Sequence, residues 1–244
     1  MHTHCLQTTK QQPFGYKIFF IIFTLLFPFA LIAQDVTALV QRVKAKLDVV
    51  EDYEAEGKMK TDVAFIKAPV GKIKVYFKKP NKFKLQRNGG ISILPKGGVT
   101  LNMSNLIVTN QYVALFAGET VLAGVPVKVV KLLPTNENSD VVLSTLYIDE
   151  ANLLIKKAAT TTKENGSFEV EMTYGNYAKY GLPDKIIFSF NAKDYKIPKG
   201  ITLEFEDTEK KSPADALKGK KGRIELLYTS YQINKGIADT VFKP

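Results

Sequence analysis

From Tyr53 to Tyr231 the chain alternates apolar and polar residues over short segments, with Gly, Pro and Asn between one segment and the next. A period of two puts every second side chain on one face of an extended strand, so this pattern specifies a meandering antiparallel sheet with one dry face and one wet face. Lys72–Lys79 is the clearest case: Ile73, Val75 and Phe77 share one side, and Lys72, Lys74, Tyr76 and Lys78 share the other. Further strands are expected over Tyr53–Phe65, Lys82–Arg87, Tyr112–Phe116, Val125–Leu133, Leu143–Ile148, Leu154–Thr162, Phe168–Tyr177, Lys185–Phe190 and Gly222–Tyr231. Asn165-Gly166, between two of them, tolerates the positive φ of a tight hairpin turn. Leu94–Asn110 and Glu204–Lys221 break the alternation. Within the second, Ser212-Pro213-Ala214-Asp215 carries the cap, first-turn proline and acid of a helix start, which predicts a short helix through Leu217.

One segment has a different period. Between Asp35 and Asp52, Val36, Leu39, Val40, Val43, Leu47 and Val50 recur at intervals of three and four, with Gln41, Arg42, Lys44, Lys46 and Asp48 opposite, the pattern of an amphipathic helix. A single helix is too little to cover the dry face of about ten strands. Either the sheet curls into an open barrel around the helix or it packs as a sandwich, and periodicity leaves both open.

The N-terminus reads as an export signal. Lys10 and Lys17 precede an apolar run from Ile18 to Ala33, and small residues at Ala30 and Ala33 suit cleavage before Gln34. The run is shorter than the ~20 apolar residues a spanning helix needs. The expected organisation is a signal peptide over residues 1–33 and one domain over residues 34–244, since no internal repeat or linker interrupts the chain.

Cleavage there removes the only cysteine, Cys5, and both histidines, His2 and His4. The remaining 211 residues hold no disulfide, no thiol nucleophile, no imidazole base and no histidine ligand for a metal. Serine–histidine and cysteine–histidine catalysis are excluded, and nothing in the spacing supports paired carboxylates or a Ser-Lys pair. No cofactor, metal site or enzymatic activity is expected. Removing Lys10 and Lys17 takes the 34 basic residues to 32 against 24 acidic ones, a net charge of +8. The lysines are scattered singly along strands rather than gathered in a stripe, which argues against nucleic acid. They either solvate the outer sheet face or meet acidic partners and anionic head groups.

The order of several short motifs resembles the lipoprotein-carrier (LolA/LolB) family. After the helix and a strand pair comes Val75-Tyr76-Phe77-Lys78-Lys79-Pro80-Asn81-Lys82-Phe83, a strand closing on basic-basic-Pro-Asn-x-Phe. Leu146-Tyr147-Ile148-Asp149, Ile155-Lys156-Lys157, Gly181-Leu182-Pro183-Asp184-Lys185-Ile186 and Tyr231-Gln232-Ile233-Asn234-Lys235-Gly236-Ile237 with Phe242 are similar to the family's later strands and closing segment. The resemblance implies a mainly β fold, a curved, incomplete antiparallel barrel of ten or eleven strands with an N-terminal amphipathic helix and short helical lid segments. It implies an apolar cavity for acyl chains, lined by Leu39, Val43 and Leu47 from the helix and by Ile73, Val75, Phe77, Phe83 and Leu85 from the sheet.

The implied role is that of a monomeric periplasmic carrier of acylated lipoproteins or lipids. Its implied partners are an inner-membrane lipoprotein-releasing ABC transporter and an outer-membrane acceptor. In such carriers an arginine before the proline latches the lid onto helix carbonyls. Lys79 stands there, and its ammonium lacks arginine's planar fork of donors. By parity Lys79 continues the dry face of Ile73, Val75 and Phe77, so it is either a latch or a cation reaching past the sheet edge to solvent. A lipid-sensing regulator acting on a membrane partner is the alternative role on the same scaffold, and a lipid hydrolase is disfavoured by the missing histidine and cysteine.

Overall fold

A computed structural model describes residues 28–63, 66–80, 82–87, 112–163, 166–191 and 221–243. It contains helix α1 (Pro28–Leu47) and strands β1 (Asp52–Val63), β2 (Ile66–Lys78), β3 (Lys82–Arg87), β4 (Tyr112–Leu122), β5 (Val125–Pro134), β6 (Val141–Asp149), β7 (Leu154–Thr162), β8 (Gly166–Thr173), β9 (Lys185–Asn191) and β10 (Lys221–Ile233). The strands form one sheet in the order β3-β2-β1-β10-β9-β8-β7-β6-β5-β4, and every neighbouring pair is antiparallel. Each strand bonds to its successor in the chain except β3, and the pairing of β1 with β10 fuses the first three strands to the long meander. β3 and β4 remain as two edges, so the sheet is an open, incomplete barrel. The mainly β architecture and its ten strands are those legible in the alternation.

Curvature enters through register shifts, since a bulge bends its strand and raises the local twist. Shifts occur at Glu56/Gly57, Met59/Thr61, Phe116/Glu119, Val141/Leu143 and Tyr147/Ile148. At the first, β10 approaches so closely that a Cβ on residue 57 would collide with the Leu227 carbonyl oxygen, which is why glycine stands there.

The dry face lies inward. Ala55, Val75, Val130, Leu146, Ile148 and Ala158 have essentially no exposed surface, and α1 lays Val36, Leu39, Val40 and Val43 into the same cluster. A sheet face and a helix stripe that are each apolar on one side have buried one another, in the curled arrangement rather than a sandwich. On the outer face, charges oppose one another across strands: Lys74 reaches Glu54 at 2.7 Å and Glu56 at 3.3 Å, and Lys157 reaches Glu169 at 3.0 Å.

Three sequence expectations are corrected. The helix expected over Asp35–Asp52 runs from Pro28 to Leu47. Val50 keeps the helical periodicity because it is buried in the turn into β1, where its amide bonds the Leu47 carbonyl at 3.2 Å, and not because it is helical. Upstream, the helix continues back to Pro28, a residue suited to a first turn. The strand expected over Phe168–Tyr177 ends at Thr173, because Gly175 starts a turn that leads into a 3₁₀ helix at Ala178–Tyr180. β4 runs past Phe116 to Leu122, carried through Gly118 by a bulge and closed by a two-residue turn in which Ala123 and Gly124 both have positive φ. At the β7–β8 hairpin Gly166 has φ +69°, as its turn role requires, while Asn165 lies outside the described residues. Leu94–Asn110, and the helix expected from Ser212 to Leu217 with its lid role, also lie outside them.

Candidate functional site

Of the eight residues expected to line a cavity, Leu39, Val43 and Leu47 of α1 and Ile73, Val75 and Phe77 of β2 are buried in the one hydrophobic cluster that α1 shares with the inner sheet face. Phe83 and Leu85 stand opposite Phe77 and Val75 on the edge strand β3 and are half-buried against the cluster. The inner face and α1 bury one another, and β3 is an edge of that sheet.

The end of α1 is tied down by polar contacts. Lys44 and Lys46 lie in its last turn, where cations face the negative end of the helix dipole. Lys44 pairs with Asp48, Lys46 Nζ donates to Asn152 O at 2.6 Å, and Arg42 lies 3.8 Å from Glu150. Burial lowers the Lys46 pKa, and the Asp149 carboxylate partly opposes that shift. On the helix face near β4, Gln41 Nε2 donates to Tyr112 Oη at 3.4 Å.

Lys79 completes this tie. β2 ends at Lys78, so Lys79 leaves the pleat and does not extend the dry face. Its backbone amide donates to Glu51 O at 2.9 Å, and its ammonium donates to the Asp48 carbonyl oxygen just past α1. The same ammonium meets Glu51 Oε1 at 3.0 Å. It thus bonds a carbonyl at the helix end while keeping 26% of its side chain in solvent.

Beside it the closing segment is locked to the same turn. Asn234, at φ +56°, accepts from the Glu51 and Asp52 amides through Oδ1 at 2.8 and 3.3 Å and donates to Val49 O at 3.0 Å. Asp52 returns the contact: its buried carboxylate accepts from the Lys235 amide at 3.0 Å and from the Gly236 amide at 3.0 and 3.2 Å. Beyond this lock the C-terminus crosses the outer side of β2 and β3 as a strap. Lys78 and Lys82 each hold one oxygen of Asp239 at 2.7 Å, and Lys84 donates to the carbonyls of Val241 and Lys243 at 2.7 and 3.0 Å. The two ammonium groups hold the Asp239 carboxyl pKa down at about 2.

Under the end of α1 the floor is aromatic. Tyr231 packs against Tyr53, Tyr177 and Tyr228 at ring separations of 5.4, 4.8 and 5.1 Å, and Tyr53 meets Phe77 at 5.3 Å. Leu47 closes over this floor through Gly181, where φ is +68° and a Cβ would stand 2.6 Å from Leu47 Cδ2. Asn234, Gly236 and Tyr231 stand in the sequence motifs without roles, and no local pattern marks Asp52 or Tyr228. The available signal was an Asn-Lys-Gly following a strand, a place for positive φ.

A cavity of about 230 Å³ lies on the outer face, lined by Lys60, Asp62, Arg223 and Glu225. These charges oppose each other across β1 and β10. The Lys185 ammonium, 2.9 Å from Glu225, leads the effects that lower that carboxyl's pKa. A site so polar suits no acyl chain. Among the described residues, no group of three or more His, Cys, Asp and Glu side chains is placed to hold a metal ion, and no helix is long and apolar enough to cross a membrane.

An open ten-stranded antiparallel sheet curled over one N-terminal helix is a LolA-like fold. The chain matches a domain from Vibrio parahaemolyticus assigned to outer-membrane lipoprotein sorting with a TM-score of 0.55 and 11% identity, over 86% of this chain and 97% of that one. A DUF1329 family protein from Desulfovibrio piger matches with a TM-score of 0.51 and 12% identity, over 86% and 97%. A LolA superfamily protein from Nitrosomonas europaea gives 0.47 and 11% identity, over 84% and 97%. No protein-family model and no curated protein matches the sequence. At these identities the first two likenesses establish the fold, and function has to be argued from residues.

Proposed function

We propose that this chain is a periplasmic carrier that takes up the acyl chains of lipoproteins, or of other lipids, between α1 and the inner sheet face and transfers them toward the outer membrane. The observation that carries the reading is the construction of the interface. Among the described residues, one helix, tied at its end by polar contacts around Lys79, packs into the inner face of the ten-stranded sheet. Lifting that end exposes surface that an acyl chain re-covers, at ~0.8 kcal/mol for each methylene removed from water. Lys79 acts as the latch, and Phe83 and Leu85 on the edge strand stand at the mouth. No step of this cycle makes or breaks a covalent bond, so the protein works as a binder and not as an enzyme.

Export follows from the signal-like residues 1–33, whose removal leaves a mature chain beginning at Gln34; intact-mass measurement of the periplasmic protein checks that end. The partners on this reading are a lipoprotein-releasing ABC transporter in the inner membrane and an acceptor in the outer one, with the carrier monomeric between them. The test is uptake of a naphthalene-sulfonate dye by the folded protein at neutral pH, followed by its displacement with fatty acid or lysolipid. Displacement at micromolar lipid is expected; absence of dye uptake, or a signal unmoved by lipid, contradicts the proposal.

A further inference from the structure

The aromatic floor under the end of α1 holds a polar atom that the packing does not account for. The Tyr228 hydroxyl is buried and has no hydrogen-bond partner among the described residues. Tyr231, whose ring packs on it at 5.1 Å, is satisfied: its Oη donates to Pro183 O at 2.7 Å. A buried hydroxyl left unpaired costs the desolvation of the group with no return, and phenylalanine would fill the same space without that cost.

Location gives the hydroxyl a use. Tyr228 lies on the inner side of β10, in the cluster that Leu47 and Val50 enter from the end of α1, the part of the helix that Lys79 holds. Its ring packs on that of Tyr231, and the residue belongs to the buried hydrophobic cluster. Burial raises the phenol's pKa well above its ordinary value, so it remains a neutral donor. A neutral donor in apolar surroundings suits a neutral acceptor, since a carboxylate would lose its hydration there without gaining a cation.

We propose that the Tyr228 hydroxyl donates to the neutral carbonyl oxygen that joins a bound acyl chain to its head, an ester or an amide, and so selects acylated cargo over free fatty acid. This inference rests on the acyl-binding reading above. It adds the chemical group recognised at the polar end of the chain.

The experiment compares the full-length wild type with Tyr228→Phe, using two nonionic probes of equal chain length below their critical micelle concentrations. One is a sugar laurate ester, and the other is the dodecyl glycoside that lacks the carbonyl. Tyr228→Phe is expected to melt at or above the wild-type temperature, to bind the glycoside as the wild type does, and to bind the ester about five- to tenfold more weakly, the loss of one hydrogen bond. Equal losses for both probes, or no loss for either, overturn the assignment. So does a melting temperature lowered by several degrees, which would show the hydroxyl already partnered in the empty protein. A wild type that binds neither probe instead overturns the acyl-binding reading itself, and this inference falls with it.

Discussion

Replacing Lys79 with Met keeps the length and apolar stem of the side chain and deletes its ammonium. Three contacts disappear, the bond to the Asp48 carbonyl just past α1, the 3.0 Å pair with Glu51 and a 3.8 Å pair with the Asp48 carboxylate. Because the side chain is 26% exposed, the pair with Glu51 is screened and contributes little, and the carbonyl bond dominates. A charged donor on a helix-end carbonyl at the surface contributes about 0.5–1.5 kcal/mol. If that energy holds the helix end down, the lifted population rises about 2- to 12-fold in Lys79→Met. Stopped-flow uptake of a naphthalene-sulfonate dye should accelerate by that factor. Global stability should fall by no more than the same energy, a drop of about 1–6 °C for a domain of this size. Lys79→Arg, with its planar fork of donors, should slow uptake instead. A melting temperature that falls while the uptake rate stays at the wild-type value would refute the latch and leave Lys79 a merely structural contact.

Phe83→Glu should fold with a loss of about 1–2 kcal/mol and impaired lipid uptake, because the edge position lets water reach the charge, whereas Phe77→Glu on the buried partner position should abolish the cooperative melt; circular dichroism and dye titration separate the two. Asp52→Ala leaves the Lys235 and Gly236 amides without their acceptor and should cost about 2–4 kcal/mol in urea unfolding, most of it recovered by Asp52→Asn. The strap should respond to acid. Its Asp239 carboxyl is depressed in the folded chain from 3.8 to about 2. The hold is therefore complete above the unfolded value and is lost as pH falls through the folded one. Amide-exchange protection of residues 239–243, corrected for intrinsic rates, should be intact at about pH 5 and lost at about pH 2.

Much of the sheet was legible because alternation survives wherever one face is buried: Lys82–Arg87 and Leu154–Thr162 begin and end where the pattern says. Helix and strand ends were less so, and for identifiable reasons. Val50 continues a helical periodicity from inside a turn, and Tyr174 continues a strand alternation while its hydroxyl bonds the Ile155 carbonyl from outside β8. Parity placed Ile73, Val75 and Phe77 together on the inner face, but it misplaced Lys79, since the chain turns out of the pleat at that residue. The lock between Asp52 and Asn234 joins positions 182 residues apart in sequence, and no local period records such a contact. The same holds for the strap, whose lysines on β2 and β3 read as an ordinary wet face until the C-terminus is laid across them.

The central claim is that the space between α1 and the inner sheet face receives acyl chains. The most direct measurement is mass spectrometry, under non-denaturing conditions, of the protein purified from its native envelope without detergent. The account predicts a population heavier than the mature chain by the mass of an acylated species, released on denaturation and reduced in Phe83→Glu. A single species at the mass of the bare mature chain, unchanged after incubation with lipid or lipoprotein, would contradict it.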